Sequence, residues 1–112
     1  MAKERQRSTG RWLLDGEAVI IFRNTGQVVN HARVLEKSFR VQTPDLGTLT
    51  VKTAQVKTIV YKNLPAYPTD MLRTVGSSEF NGEILNDPIH VQADDLGGTA
   101  NIPKARIISI IW

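Results

Sequence analysis

The chain has no cysteine, which excludes a disulfide framework, a thiolate metal centre and a cysteine nucleophile. Its two histidines, His31 and His90, stand alone, with no His–x–x–x–His or similar spacing, so no metal site is expected. Aromatics make up 6% of the residues. Binders of single-stranded nucleic acid set exposed rings beside basic residues, and no basic cluster surrounds Trp12, Tyr67 or Phe80 here. Long hydrophobic runs are missing as well. The stretch Ala18–Phe22 is too short for the apolar core of a signal peptide and cannot span a bilayer, so a cytoplasmic protein without membrane contact is the expectation. The serines at Ser77 and Ser78 lie outside any nucleophile-elbow pattern. No glycine-rich phosphate loop opens a helix, and Asp87, Asp94 and Asp95 lack the rest of a calcium loop. These absences predict a protein that is not an enzyme and carries no cofactor and no metal.

Charge of neither sign dominates the body of the chain. The formal net charge is +3 in 112 residues, and the first eleven residues account for it, with Lys3, Arg5, Arg7 and Arg11 against Glu4. Residues 1–11 therefore read as a flexible basic arm, either solvated or seeking phosphate. The 41% hydrophobic content suits an ordinary globular domain.

What the chain does contain is a phrase written twice. "VQTPDLGTLTV" (Val41–Val51) returns as "VQADDLGGTANI" (Val91–Ile102). A shift of fifty brings Arg23 onto Arg73, Gly26 onto Gly76, Leu35 onto Leu85 and Val41-Gln42 onto Val91-Gln92. One added glycine, Gly98, moves the shift to fifty-one, so that Ala54 meets Ala105 and Tyr61 meets Trp112. A match at a fixed period marks a duplicated structural unit.

Within each unit apolar residues alternate with polar ones, as in "SFRVQT" and "IHVQA", which is the period of half-buried strands. "PDLG" and "DDLGG" read as hairpin turns. Opening strands are expected over Ala18–Arg23 and Asp70–Val75, second strands over Val28–Leu35 and Glu79–Leu85, and closing strands at "VKTIVY" and "IISIIW". The expected fold is all-β: unit 1 over residues 12–62 and unit 2 over residues 70–112, each a five-stranded antiparallel meander, the two related by a pseudo-two-fold. "NLPAYPT" (residues 63–69), with two prolines, reads as the linker. Two barrels or one shared barrel satisfy the alternation equally.

The closing segments "NIPKARIISI" and "TVKTAQVKTIV", together with "FNGEILNDPIHVQAD", resemble the Sm-like barrel family. The resemblance implies a tandem pair of small five-stranded barrels, ring-like assembly through strand edges and, by analogy with the bacterial Sm-like RNA chaperones, RNA binding. In those chaperones a Tyr–Lys–His stretch contacts RNA. Lys104 matches its lysine, Ala105 stands at its histidine, and the first copy has Thr53 and Ala54.

Two functions follow. The first is a non-enzymatic binding and assembly module that self-associates through strand edges as a homo-oligomer. The alternative is an RNA or single-stranded nucleic-acid binder using Lys3, Arg5, Arg7, Arg11, Arg40, Lys52, Lys57 and Lys104.

Overall fold

The computed structural model describes residues 16–112 and the backbone of residues 4–6 and 12–14. Two short strands, β1 (Glu4–Gln6) and β2 (Trp12–Leu14), form an antiparallel pair separate from the main sheet. The remaining strands are β3 (Glu17–Phe22), β4 (Val28–Val34), β5 (Ser38–Thr43), β6 (Gly47–Lys52), β7 (Val56–Val60), β8 (Asp70–Thr74), β9 (Glu79–Ile84), β10 (Ile89–Ala93), β11 (Gly98–Ile102) and β12 (Ile107–Ile111). The only helical segments among the described residues are single 3-10 turns at Thr53–Gln55, Asp94–Leu96 and Lys104–Arg106. The all-β expectation holds, and every strand read from alternation is present.

The local chemistry explains the hairpins. Gly47 and Gly97 adopt φ of 70° and 76° at the two repeated turns, a left-handed conformation that costs glycine little. The Thr43 hydroxyl closes the first turn, donating to Gly47 O and accepting from Leu46 N, each at 2.9 Å. Phe39, Val41 and Thr43 point inward from β5, as do Ile89, Val91 and Ala93 from β10, while the residues between them are exposed. Residues 63–69 form no named strand, only an isolated bridge between Asn63 and Tyr67.

Strand pairing departs from the expected meanders. All ten strands form one antiparallel sheet in the order β11-β10-β4-β3-β12-β7-β8-β9-β5-β6. β4 does not pair with β5, and β9 does not pair with β10. Instead β4 pairs with β10 (Val34 opposite Val91) and β9 with β5 (Ile84 opposite Val41). Leu35 N donates to His90 O and Leu85 N to Arg40 O, both at 2.8 Å, which carries each chain segment across to the other half. The sheet is also not closed, because among the described residues β6 and β11 each pair only with their own hairpin partner. Two self-contained small barrels are therefore not what the hydrogen bonding builds. The physical reason lies in burial: a unit of about fifty residues hides too little surface alone, whereas exchanged hairpins let both halves share one core.

That core runs across both halves and includes Ile20, Phe39, Ile59, Tyr61, Leu72, Ile84, Ile110 and Trp112. Phe39 meets Trp112 edge-on, with ring centroids 6.0 Å apart, although their strands are far apart in the sheet order. The sheet thus curls over itself. Tyr61 and Trp112, equivalent under the sequence shift, are buried beside the central β7–β12 pair, where Tyr61 N donates to Ile108 O and Trp112 N to Lys57 O.

Curling needs corners. At Gly82 the strand β9 leaves β8 and joins β5. A Cβ there would lie 2.1 Å from Gln42 O, so only glycine lets β5 cross so closely. The corresponding position in β4 is Ala32, fully buried, where the corner accepts a methyl group. Exchanging β3–β7 with β8–β12 turns the observed strand order into its own reverse.

Candidate functional site

Two clefts sit at corresponding places. One, of ≈ 460 Å³, is lined by Glu17, Asn30, His31, Arg33, Gln92, Ala93, Asp94 and Asp95. The other, of ≈ 660 Å³, is lined by Gln42, Thr43, Pro44, Lys62, Pro68, Thr69, Asp70, Gly82, Glu83 and Lys104. Gln92, Ala93, Asp94 and Arg33 in the first stand fifty residues from Gln42, Thr43, Pro44 and Glu83 in the reverse sense, so both clefts form where a hairpin crosses the bend of the other half's second strand.

In the first cleft β4 carries a bulge. Ala18 pairs with Ala32 and Ile20 with Val29, which leaves Asn30 and His31 opposite Val19 alone. His31 is held at φ 56°, a region unfavourable for a side chain with a Cβ. Bulges of this kind re-aim a side chain. Here His31 Nδ1 lies 3.1 Å from Glu17 Oε1, whose side chain is largely buried. A carboxylate that orients an imidazole is half of a general-base arrangement, yet among the described residues no serine, threonine or cysteine lines this cleft. His90, exposed on β10 as its alternation requires, pairs in the same way with Glu36 at 2.7 Å. Among the described residues no group of three or more His, Cys, Asp or Glu converges as a metal site.

The second cleft is built around a buried carboxylate. Asp70 accepts from Lys62 N at 2.8 Å, Ile84 N at 2.9 Å and Lys104 Nζ at 3.4 Å. Lys104 Nζ also donates to Ile84 O at 2.6 Å. A buried charge needs this degree of partnering to be tolerated. Beside it a smaller cleft of ≈ 290 Å³ is lined by Arg23, Tyr61, Lys62, Asp70, Asp87, Lys104 and Ala105. Arg23 spans this region, its guanidinium donating to Ala105 O, Asn63 Oδ1, Lys62 O and Ile107 O. The Tyr61 hydroxyl is buried, with no hydrogen-bond partner among the described residues. Burial first, then the nearby Asp70, Asp87 and Glu36 carboxylates, push its ionisation well above the ordinary value, so the phenol stays protonated.

Of the expected nucleic-acid residues, the structure brings Arg40 and Lys52 onto one face and sets Lys57 and Lys104 apart from them. Arg40 and Lys52 share the outer face of the β5–β6 hairpin with Gln42, Thr48 and Thr50. Lys57 is exposed on β7, which β8 and β9 separate from β5 in the sheet. Lys104 is committed to Asp70 and Ile84 O, so it braces the fold at the position where the Sm-like resemblance put an RNA contact. Arg5 lies in β1, and Lys3, Arg7 and Arg11 lie outside the described residues. Sequence reasoning missed the Asp70–Lys104 pair and both His–Glu pairs. Their partners are 34, 14 and 54 positions apart, and no local pattern signals such distances.

Compared with protein-family models, curated proteins and solved structures, the chain matches none.

Proposed function

We propose that this chain is a non-enzymatic assembly module, a duplicated β unit that self-associates through the edges of its sheet. One observation carries the proposal: the ten-stranded sheet is open, and each end is a regular strand of five or six residues whose outer side pairs with nothing among the described residues. Unpaired strand edges template pairing with another chain. The reversal of strand order under exchange of the two halves supports the duplication, as does the matching of the paired bonds Leu35–His90 and Leu85–Arg40. The Sm-like family, which the closing segments resemble, assembles by the same strand-edge chemistry. Size-exclusion chromatography with light scattering at two concentrations, a hundredfold apart, tests the proposal. A mass above that of the 12.5 kDa monomer at the higher concentration is expected, and a strict monomer at both would end it.

A second reading, RNA or single-stranded nucleic-acid binding, is favoured by Arg40 and Lys52 projecting from one exposed hairpin face. A mobility shift with oligo-A and oligo-U across a salt series tests it. Arg40→Ala with Lys52→Ala should weaken binding and lower the salt slope by about 1.4 for two lost phosphate contacts on a single strand. No binding at low salt removes this reading.

A further inference from the structure

Resting on the edge-pairing reading above, we infer that the two sheet edges have different jobs: β11 pairs antiparallel with β11 of a second copy, about a two-fold axis through Ala100, while β6 is kept from pairing with itself.

The edges differ in how they are protected. Proteins blunt an edge with charge, proline or a bulge. β11 reads Gly-Thr-Ala-Asn-Ile, with no charge and no proline, and its register against β10 runs unbroken from Gly98 to Ile102. The outer face of the β10–β11 hairpin presents His90, Gln92, Thr99 and Asn101, with His90 already held by Glu36. The β5–β6 hairpin presents Arg40 and Lys52 on its outer face. Joining two copies through β6 would set four cations on one small surface, whereas joining through β11 brings no formal like charges into opposition.

The β11 sequence is also self-complementary in this register. An antiparallel pair centred on Ala100 places Ala100 opposite Ala100, Thr99 opposite Asn101 of the second copy, and Ile102 opposite Gly98. Ile102 and Ala100 continue the inner, apolar layer, being buried and half-buried. The space left by glycine receives the isoleucine across the axis. Thr99 and Asn101 are exposed and meet as a hydrogen-bonding pair on the outer face. The contact is isologous, so it closes as a dimer and does not grow into a filament.

The test uses the full chain in two forms. Thr99→Lys combined with Asn101→Lys opposes lysines across the proposed axis and should raise the concentration at half-dimerisation by roughly tenfold or more. Thr48→Lys combined with Thr50→Lys on β6 should leave it unchanged. Far-UV circular dichroism and melting temperature establish that each variant is folded. Because the chain has no cysteine, Ala100→Cys gives a second measure that does not depend on weakening anything. On oxidation it should form a disulfide dimer whose yield far exceeds that of Thr50→Cys, since opposed residues in a sheet lie within disulfide reach. If the protein self-associates but the β6 lysines dissolve it, or the two cysteine variants cross-link alike, this inference is overturned and edge assembly stands. If the wild type is a monomer throughout, both fall.

Discussion

At the scale of single residues, the fold depends on a few positions where one atom too many or too few decides the outcome. Gly82 is one. A methyl group there meets the backbone of Gln42 at the strand corner, and the backbone has no room to retreat. Gly82→Ala should destabilise by about 1–3 kcal/mol, read from the urea midpoint, while Ala32→Gly at the corresponding corner should cost only the small packing and entropy terms. Tyr61 is another. Its hydroxyl is buried with no partner among the described residues, and an unmade hydrogen bond in the interior costs about 1–3 kcal/mol. Tyr61→Phe should therefore raise stability by about 1 kcal/mol. The same variant makes a pH prediction. The folded phenol loses its proton only well above the ordinary value of 10.0, so above that value the unfolded chain ionises first and folding weakens as pH climbs. Stability lost between pH 10 and 11 should be smaller in Tyr61→Phe than in the wild type, with the lysine contribution common to both.

At the scale of elements, alternation and turn chemistry explain the strands almost completely. "SFRVQT" and "IHVQA" became β5 and β10 with the expected faces inward, and the doubled phrase became two hairpins. The opening strands show where sequence matching strays. The shift of fifty brings Arg23 onto Arg73, yet in the sheet Ile20 faces Ile110 and Leu72 faces Ile59, an offset of fifty-two for that strand. The longer turn after β3 and the bulge at Asn30–His31 absorb the difference. What joins elements depends on polar staples that no periodicity announces. Asp70, at the start of β8, holds Lys62 after β7, Ile84 on β9 and Lys104 before β12. Asp70→Ala leaves two amides without their acceptor and takes the buried counter-charge from Lys104, and should destabilise by about 3–5 kcal/mol, measured by chemical denaturation at neutral pH.

At the scale of the whole molecule, the two halves share one sheet: β3 pairs with β12, β4 with β10 and β5 with β9. A chain cut within residues 63–69 should give two fragments that are each unfolded alone and that regain the native circular dichroism when mixed in equal amounts. The intact chain should unfold in one cooperative transition, because the hydrophobic core is common to both halves. Two independent transitions would mean that each half folds by itself after all. No helix among the described residues is long and apolar enough to cross a membrane.

Residue order alone decided the local matters: which segments are strands, which face of each is apolar, where the chain turns, and that the second half echoes the first. These follow from backbone sterics and the two-residue period, which act over a few positions. Which strand lies beside which was left to the folded state. Partners such as Val34 and Val91 or Val41 and Ile84 are chosen by how much apolar surface the whole chain can bury, and two equally alternating hairpins look alike until they compete for one core. The open edges and the buried Asp70–Lys104 pair are consequences of that competition, and so were visible only once the chain had been closed upon itself.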